Sequence, residues 1–99
     1  MKTPRESQIE RYMVRRVERI GGICFKFVSP GRVGVPDRVV VLPGGEVIFV
    51  EIKAPGGVLS PMQVRVHKCL KALTAEVKTF WNTDQIDRYF PIEEQEDRT

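Results

Sequence analysis

Two runs of this chain, Arg38 to Leu42 and Val47 to Ala54, are apolar at almost every position, and Pro43-Gly44-Gly45 joins them. Side chains of a strand alternate between its two faces. A run that is apolar on both faces therefore asks to be covered on both, which is the situation of a central strand. Pro-Gly-Gly between two such runs is hairpin chemistry. This hairpin predicts an α/β fold with a sheet whose faces carry helices.

The flanking sequence supplies those helices. Thr3-Pro4-Arg5-Glu6 fits a capping box, with Thr3 as N-cap, Pro4 at the first helical position and Glu6 three residues on. Ile9, Tyr12, Met13, Val17 and Ile20 then recur at helical spacing, and Gly21-Gly22 ends the helix. Ile23 to Val28 reads as a strand, and residues 29–36 as a loop. Ser60-Pro61 starts a second helix with Met62, Val66, Cys69, Leu70 and Leu73 as its apolar face. Glu76 to Trp81 reads as a fourth strand, and Thr83-Asp84 as the cap of a short last helix through Tyr89. The predicted order is α-β-β-β-α-β-α around a mixed sheet.

Ninety-nine residues bound this to one domain, expected over residues 1–92, with an acidic tail over 93–99. With 41% hydrophobic and 29% charged residues the chain is expected to fold. Its net charge of +3 permits a polyanionic partner without demanding one. Cys24 and Cys69 lie in apolar segments and read as buried thiols of a reducing cytoplasm. One histidine and no Cys-x-x-Cys argue against zinc, and no apolar run is long enough to cross a membrane.

Three charges sit in the hairpin where a structural strand would not want them. Asp37 stands at the mouth of the second strand, and Glu51 and Lys53 lie within the third. Strand alternation puts Glu51 and Lys53 on one face and Val50 and Ile52 on the other. A carboxylate and an ammonium there are costly unless they are paired or bind a metal. Two converging carboxylates suit magnesium or manganese, and a lysine beside them suits phosphodiester hydrolysis. A structural Glu–Lys pair is the competing explanation. Register decides whether Asp37 joins. A two-residue Gly44-Gly45 loop sets Asp37 against Ile52, on the wrong face. A three-residue Pro43-Gly44-Gly45 loop sets it against Glu51. At about 100° per residue, Glu10 flanks the apolar stripe of the first helix and is the carboxylate of that helix expected to reach the site, unless it simply pairs with a nearby arginine.

Glu10, Gly34-Val35-Pro36-Asp37-Arg38, Phe49-Val50-Glu51-Ile52-Lys53-Ala54 and Leu59-Ser60 leading to Gln63 together resemble the virus-type replication-repair nuclease (VRR-NUC) domains of the PD-(D/E)XK superfamily. The resemblance runs from about Glu6 to the fourth strand. It implies a restriction-endonuclease-like fold and a magnesium- or manganese-dependent endodeoxyribonuclease. Asp37 and Glu51 would hold the metal with the Ile52 carbonyl, and Glu10 would touch it directly or through water. Lys53 would position or activate the attacking water, and Gln63 would orient the site. Lys26, Arg32 and Arg38 are the expected DNA contacts, Lys26 being equally readable as an exposed lysine at the edge of its strand. His67, one turn past Gln63, is left open between a structural role and one facing the site or DNA. Stand-alone members look like junction-resolving enzymes of a phage-infected or bacterial cell. A homodimer on branched DNA is therefore expected, with Trp81, Tyr89 and Phe90 either at its interface or closing the monomer core. The alternatives are a nuclease of the same fold acting on flaps or linear duplex, and a DNA-binding module without catalysis.

Overall fold

The computed structural model describes residues 3–93. Its elements are α1 (Pro4–Arg19), β1 (Ile23–Lys26), β2 (Arg38–Val41), β3 (Val47–Ile52), α2 (Pro61–Ala72), β4 (Glu76–Phe80) and α3 (Thr83–Tyr89). Order and types are those expected, with the strands one or two residues shorter. The sheet runs β1-β2-β3-β4. Its first three strands are antiparallel, and β4 is parallel to β3. A parallel neighbour requires a crossover, and α2 provides it.

Local chemistry sets the helix starts. The Thr3 hydroxyl accepts from the Glu6 amide at 3.1 Å. Ser60 and Gln63 form a reciprocal capping box, with bonds of 3.1 and 2.9 Å. α3 begins differently from expectation: Asn82, not Thr83 or Asp84, is its cap. Asn82 holds the extended backbone of a cap, and its side-chain oxygen accepts from the Gln85 amide at 2.9 Å.

The two faces of the sheet differ. Val40, Ile48, Val50, Ile52 and Phe80 pack with Ile9, Met13, Val17, Ile86 and Phe90 into one core beneath α1 and α3. The opposite face carries Ile23, Phe25, Val39, Val41, Val47 and Phe49, and none of these is buried. The expectation that the hairpin is covered on both sides is corrected here. α2 packs on β4 and leaves the β1–β2 side of that face open. The apolar stripe assigned to α2 is corrected as well: Met62, Cys69 and Leu73 are exposed, Leu73 at 77%. The residue α2 buries is His67. Cys24 is half-buried, so only one of the two expected buried thiols is even partly enclosed.

Phe90 is buried and stacks edge-on with Phe80 and Tyr89, with ring centroids 5.9 and 5.0 Å away. The Trp81 indole donates to the Gly57 carbonyl at 2.7 Å. The aromatic residues considered for an interface are thus engaged within the chain. No described helix is long and apolar enough to cross a membrane. The predicted acidic tail, Glu93 apart, lies outside the described residues.

Candidate active site

The hairpin register determines this site. Leu42 donates to the Glu46 carbonyl at 2.8 Å, and Gly45 donates to the Leu42 carbonyl at 2.9 Å. Pro43, Gly44 and Gly45 therefore form a three-residue loop. Gly44 and Gly45 both hold positive φ, at 95° and 90°. Pro43 followed by such a glycine is type II turn chemistry, and Gly45 then makes the bulge. Strand pairs follow as Val41 with Val47, Val39 with Phe49 and Arg38 with Val50. One residue further, Asp37 falls opposite Glu51.

Bonding alternates along an antiparallel pair. Because Leu42 and Glu46 are hydrogen-bonded partners, Asp37 and Glu51 occupy a non-hydrogen-bonded position, where facing Cα atoms approach to about 4.5 Å. The ladder is extended at both edges here. Phe27 donates to the Asp37 carbonyl at 2.7 Å, and Lys53 donates to the Phe80 carbonyl at 3.0 Å. The backbones bearing Asp37 and Lys53 are thereby held although neither residue lies within a strand.

Asp37, Glu51 and Lys53 line a single cleft of about 630 Å³ with Glu10, Lys26 and Gln63. Glu51 is 2% exposed. The loop before β2 is seated on α2: a Cβ on Gly34 would lie 2.8 Å from the Met62 carbonyl, and Gly34 holds φ 86°. Glycine there lets Asp37 and the first turn of α2 approach one another. Gln63 uses its side-chain carbonyl as acceptor for the Ser60 amide, so its amide NH₂ is the end left to donate into the cleft it lines.

Glu10 is 8% exposed, and its carboxylate takes a 2.7 Å ion pair from the Arg38 guanidinium. It both lines the cleft and pairs with an arginine, so two explanations that were alternatives in the sequence hold together. The Arg38 guanidinium, expected as a DNA contact, is engaged by Glu10. Burial pulls its guanidinium down, but the hydrogen bond and charge of Glu10 outweigh that and hold it above its ordinary range. Arg32 is exposed and lines a separate apolar groove with Phe27, Val35 and Phe49. Lys26, at the end of β1, does border the cleft.

Ser7 and Glu6 also line the cleft, a place the sequence reading does not give them. The signal was present, since both sit within about one turn of Glu10 on the same helix. Among the described residues no three His, Cys, Asp or Glu side chains converge closely enough to hold an ion alone. Magnesium needs less, because it takes one or two carboxylates and completes its shell with waters and substrate phosphate. Facing carboxylates at Asp37 and Glu51 fit that requirement.

No family model matches the chain. It is 56% identical over 77 residues to "Putative nuclease p44" of Acyrthosiphon pisum secondary endosymbiont phage 1, spanning 78% of this chain and 83% of that protein. It also superposes on a solved VRR_NUC domain with a TM-score of 0.82 and 32% identity, covering 87% of this chain and 94% of the other.

Proposed function

Because this chain belongs to the VRR-NUC family of nucleases, we propose that it is a magnesium- or manganese-dependent DNA endonuclease acting through the cleft between α1 and α2. The observation that carries this reading is the facing pair Asp37 and Glu51, with Lys53 on the same face of β3 in the same cleft. Asp37 and Glu51 would hold the ion, with the Ile52 carbonyl as a third donor. When bound, the ion supplies Lewis acidity toward a phosphate oxygen and lowers the pKa of a water. Lys53 holds the attacking water and faces the charge that builds on the phosphate. Glu10, committed to Arg38, acts through water. Gln63 presents its amide NH₂ to the same cleft. Lys26 meets a backbone phosphate.

The preferred target is branched DNA, cut by a homodimer. One domain offers one such cleft, and symmetric cutting of two strands needs two. The open face carrying Ile23 and Phe25, each 55% exposed, is the surface a second copy would cover.

The test pairs cleavage with binding. Asp37→Asn and Lys53→Ala should each lower cleavage by a factor on the order of 100 or more while DNA binding persists. Unchanged cleavage by either variant refutes the assignment. Wild-type chain that binds DNA but never cuts it points to a binding module. A panel of four-way junctions, flaps, nicks and linear duplex tests the target, and cutting of linear duplex alone removes the branched-DNA claim.

A further inference from the structure

A second cleft, of about 350 Å³, lies between α2 and β4 and shares no lining residue with the active-site cleft. Lys68 and Lys71 of α2 and Lys78 and Thr79 of β4 line it, with Trp81 and His67. No acidic residue does. Lys78 is already engaged, 3.8 Å from a Glu76 carboxylate oxygen and 5.1 Å over the Tyr89 ring. The cationic character available to a ligand therefore comes mainly from Lys68 and Lys71, both exposed.

Leu59, Val64 and Val77 make much of the wall apolar, and one buried polar side chain stands among them. His67 is 4% exposed, and its Nε2 is buried with no hydrogen-bond partner among the described residues. Buried polar atoms of folded proteins usually have a hydrogen-bond partner, so this one calls for an explanation. Burial pushes the His67 imidazole below its ordinary range, and the charges of Lys71 and Lys53 push it the same way. Lys53 belongs to the active-site cleft, so His67 lies within the field of both sites.

Helix geometry connects them. Gln63, His67 and Lys71 follow at intervals of four on one side of α2. Rise per residue in a helix is about 1.5 Å, so His67 lies roughly 6 Å and Lys71 roughly 12 Å beyond Gln63. A strand of B-DNA advances about 3.4 Å per phosphate along its axis. A strand cut at Lys53 and running along this side of α2 would bring a phosphate a few nucleotides away to the second cleft.

We infer that the cleft between α2 and β4 is a subsite for a backbone phosphate of the DNA strand being cut, held by Lys68 and Lys71 at its rim, over the buried His67 imidazole. The inference rests on the endonuclease reading above. It separates binding from chemistry: this subsite holds the strand, whereas Asp37, Glu51 and Lys53 act on the scissile phosphate.

The experiment is steady-state cleavage of a defined DNA substrate by the full chain with magnesium, comparing wild type with Lys68→Ala/Lys71→Ala. The expected result is a KM raised about five- to tenfold with kcat within about twofold. The salt dependence of kcat/KM should also become shallower, by about one unit for each phosphate the variant no longer neutralises. Arg5→Ala/Arg11→Ala removes the same charge from exposed positions on α1. An equal loss in that control would overturn the subsite in favour of general attraction. A fall in kcat with KM unchanged would overturn it too. Scanning the cut strand with single neutral methylphosphonate linkages supplies the second arm. At one internal position the neutral linkage should raise wild-type KM and abolish the further effect of the lysine substitutions. If removing a terminal phosphate does this instead, or no position does, an internal-phosphate subsite is excluded. Loss of all cleavage in wild type would count against the endonuclease reading itself, and the two failures are therefore distinguishable.

Discussion

One face of the sheet closes the molecule and the other leaves it open. Beneath α1 and α3, Val40, Ile48, Val50 and Ile52 are fully buried with Met13, Val17 and Ile86. On the opposite face Phe25, Val39, Val47 and Phe49 meet solvent in part, because α2 reaches β4 and stops short of β1. Asp37, Glu51 and Lys53 lie on this second face by strand alternation, although Glu51 itself is only 2% exposed. The closed face can therefore hold the fold without any help from the site. The open face can present charge to a substrate because it is not required to exclude water throughout.

The largest stability effect expected from this contrast is at Ile48. Ile48→Ala removes buried apolar volume from a packed core and should cost about 2–5 kcal/mol in denaturant unfolding. Phe25→Ala, a larger deletion on the open face, should cost less than about 1 kcal/mol in dilute protein. An equal cost at Phe25 at every concentration would break the comparison. A cost at Phe25 that grows with protein concentration would sharpen it, since a second copy covering that face stabilises by mass action.

The same contrast explains what the sequence could and could not disclose. The hairpin is legible as a hairpin, but its loop offers two registers in the sequence. The hydrogen bonds of the structure select the three-residue loop that sets Asp37 against Glu51. α1 is legible from its period, and Glu10 from its flank of the stripe. The coverage of the open face is not legible, because periodicity reports which residues are apolar but not whether a neighbour reaches them. Met62, Cys69 and Leu73 keep the spacing of a buried stripe and remain exposed. His67 is undecided in the sequence for the converse reason: a polar residue beside an apolar stripe is buried only when the crossover tilts it inward. The place of Arg38 is hidden too. A cation after the Pro-Asp motif suits DNA as well as it suits Glu10, and only the packing of α1 beside β1 and β3 brings the two within 2.7 Å.

A smaller effect is expected at the capping box of α2. Ser60→Ala removes the acceptor for the Gln63 amide and should cost about 1 kcal/mol of stability. Its consequence for cleavage should be greater than that figure suggests, since Gln63 lines the candidate active-site cleft while its side-chain carbonyl serves the cap. Ser60→Asp keeps an acceptor and should restore both stability and activity. Restored stability without restored cleavage would show that the serine itself acts in the site.

The smallest effect is in the pH dependence of stability, and it reports on the open side alone. Burial, Lys71 and Lys53 hold the folded-state pKa of His67 below 6.5. Lys68 and Lys78 line the same cleft and oppose a further positive charge there. A group whose folded pKa is depressed favours folding above its unfolded pKa and loses that contribution as pH falls through the folded one. Thermal stability should therefore be level above about pH 6.5 and decline on acidification below it, before the carboxylates begin to protonate near pH 4. His67→Gln should flatten the curve between those limits. An unchanged decline in that variant would place its origin elsewhere. A decline that disappears when DNA is bound would instead tie His67 to the phosphate subsite, since a bound anion offsets the lysine charges that add to burial in depressing its pKa.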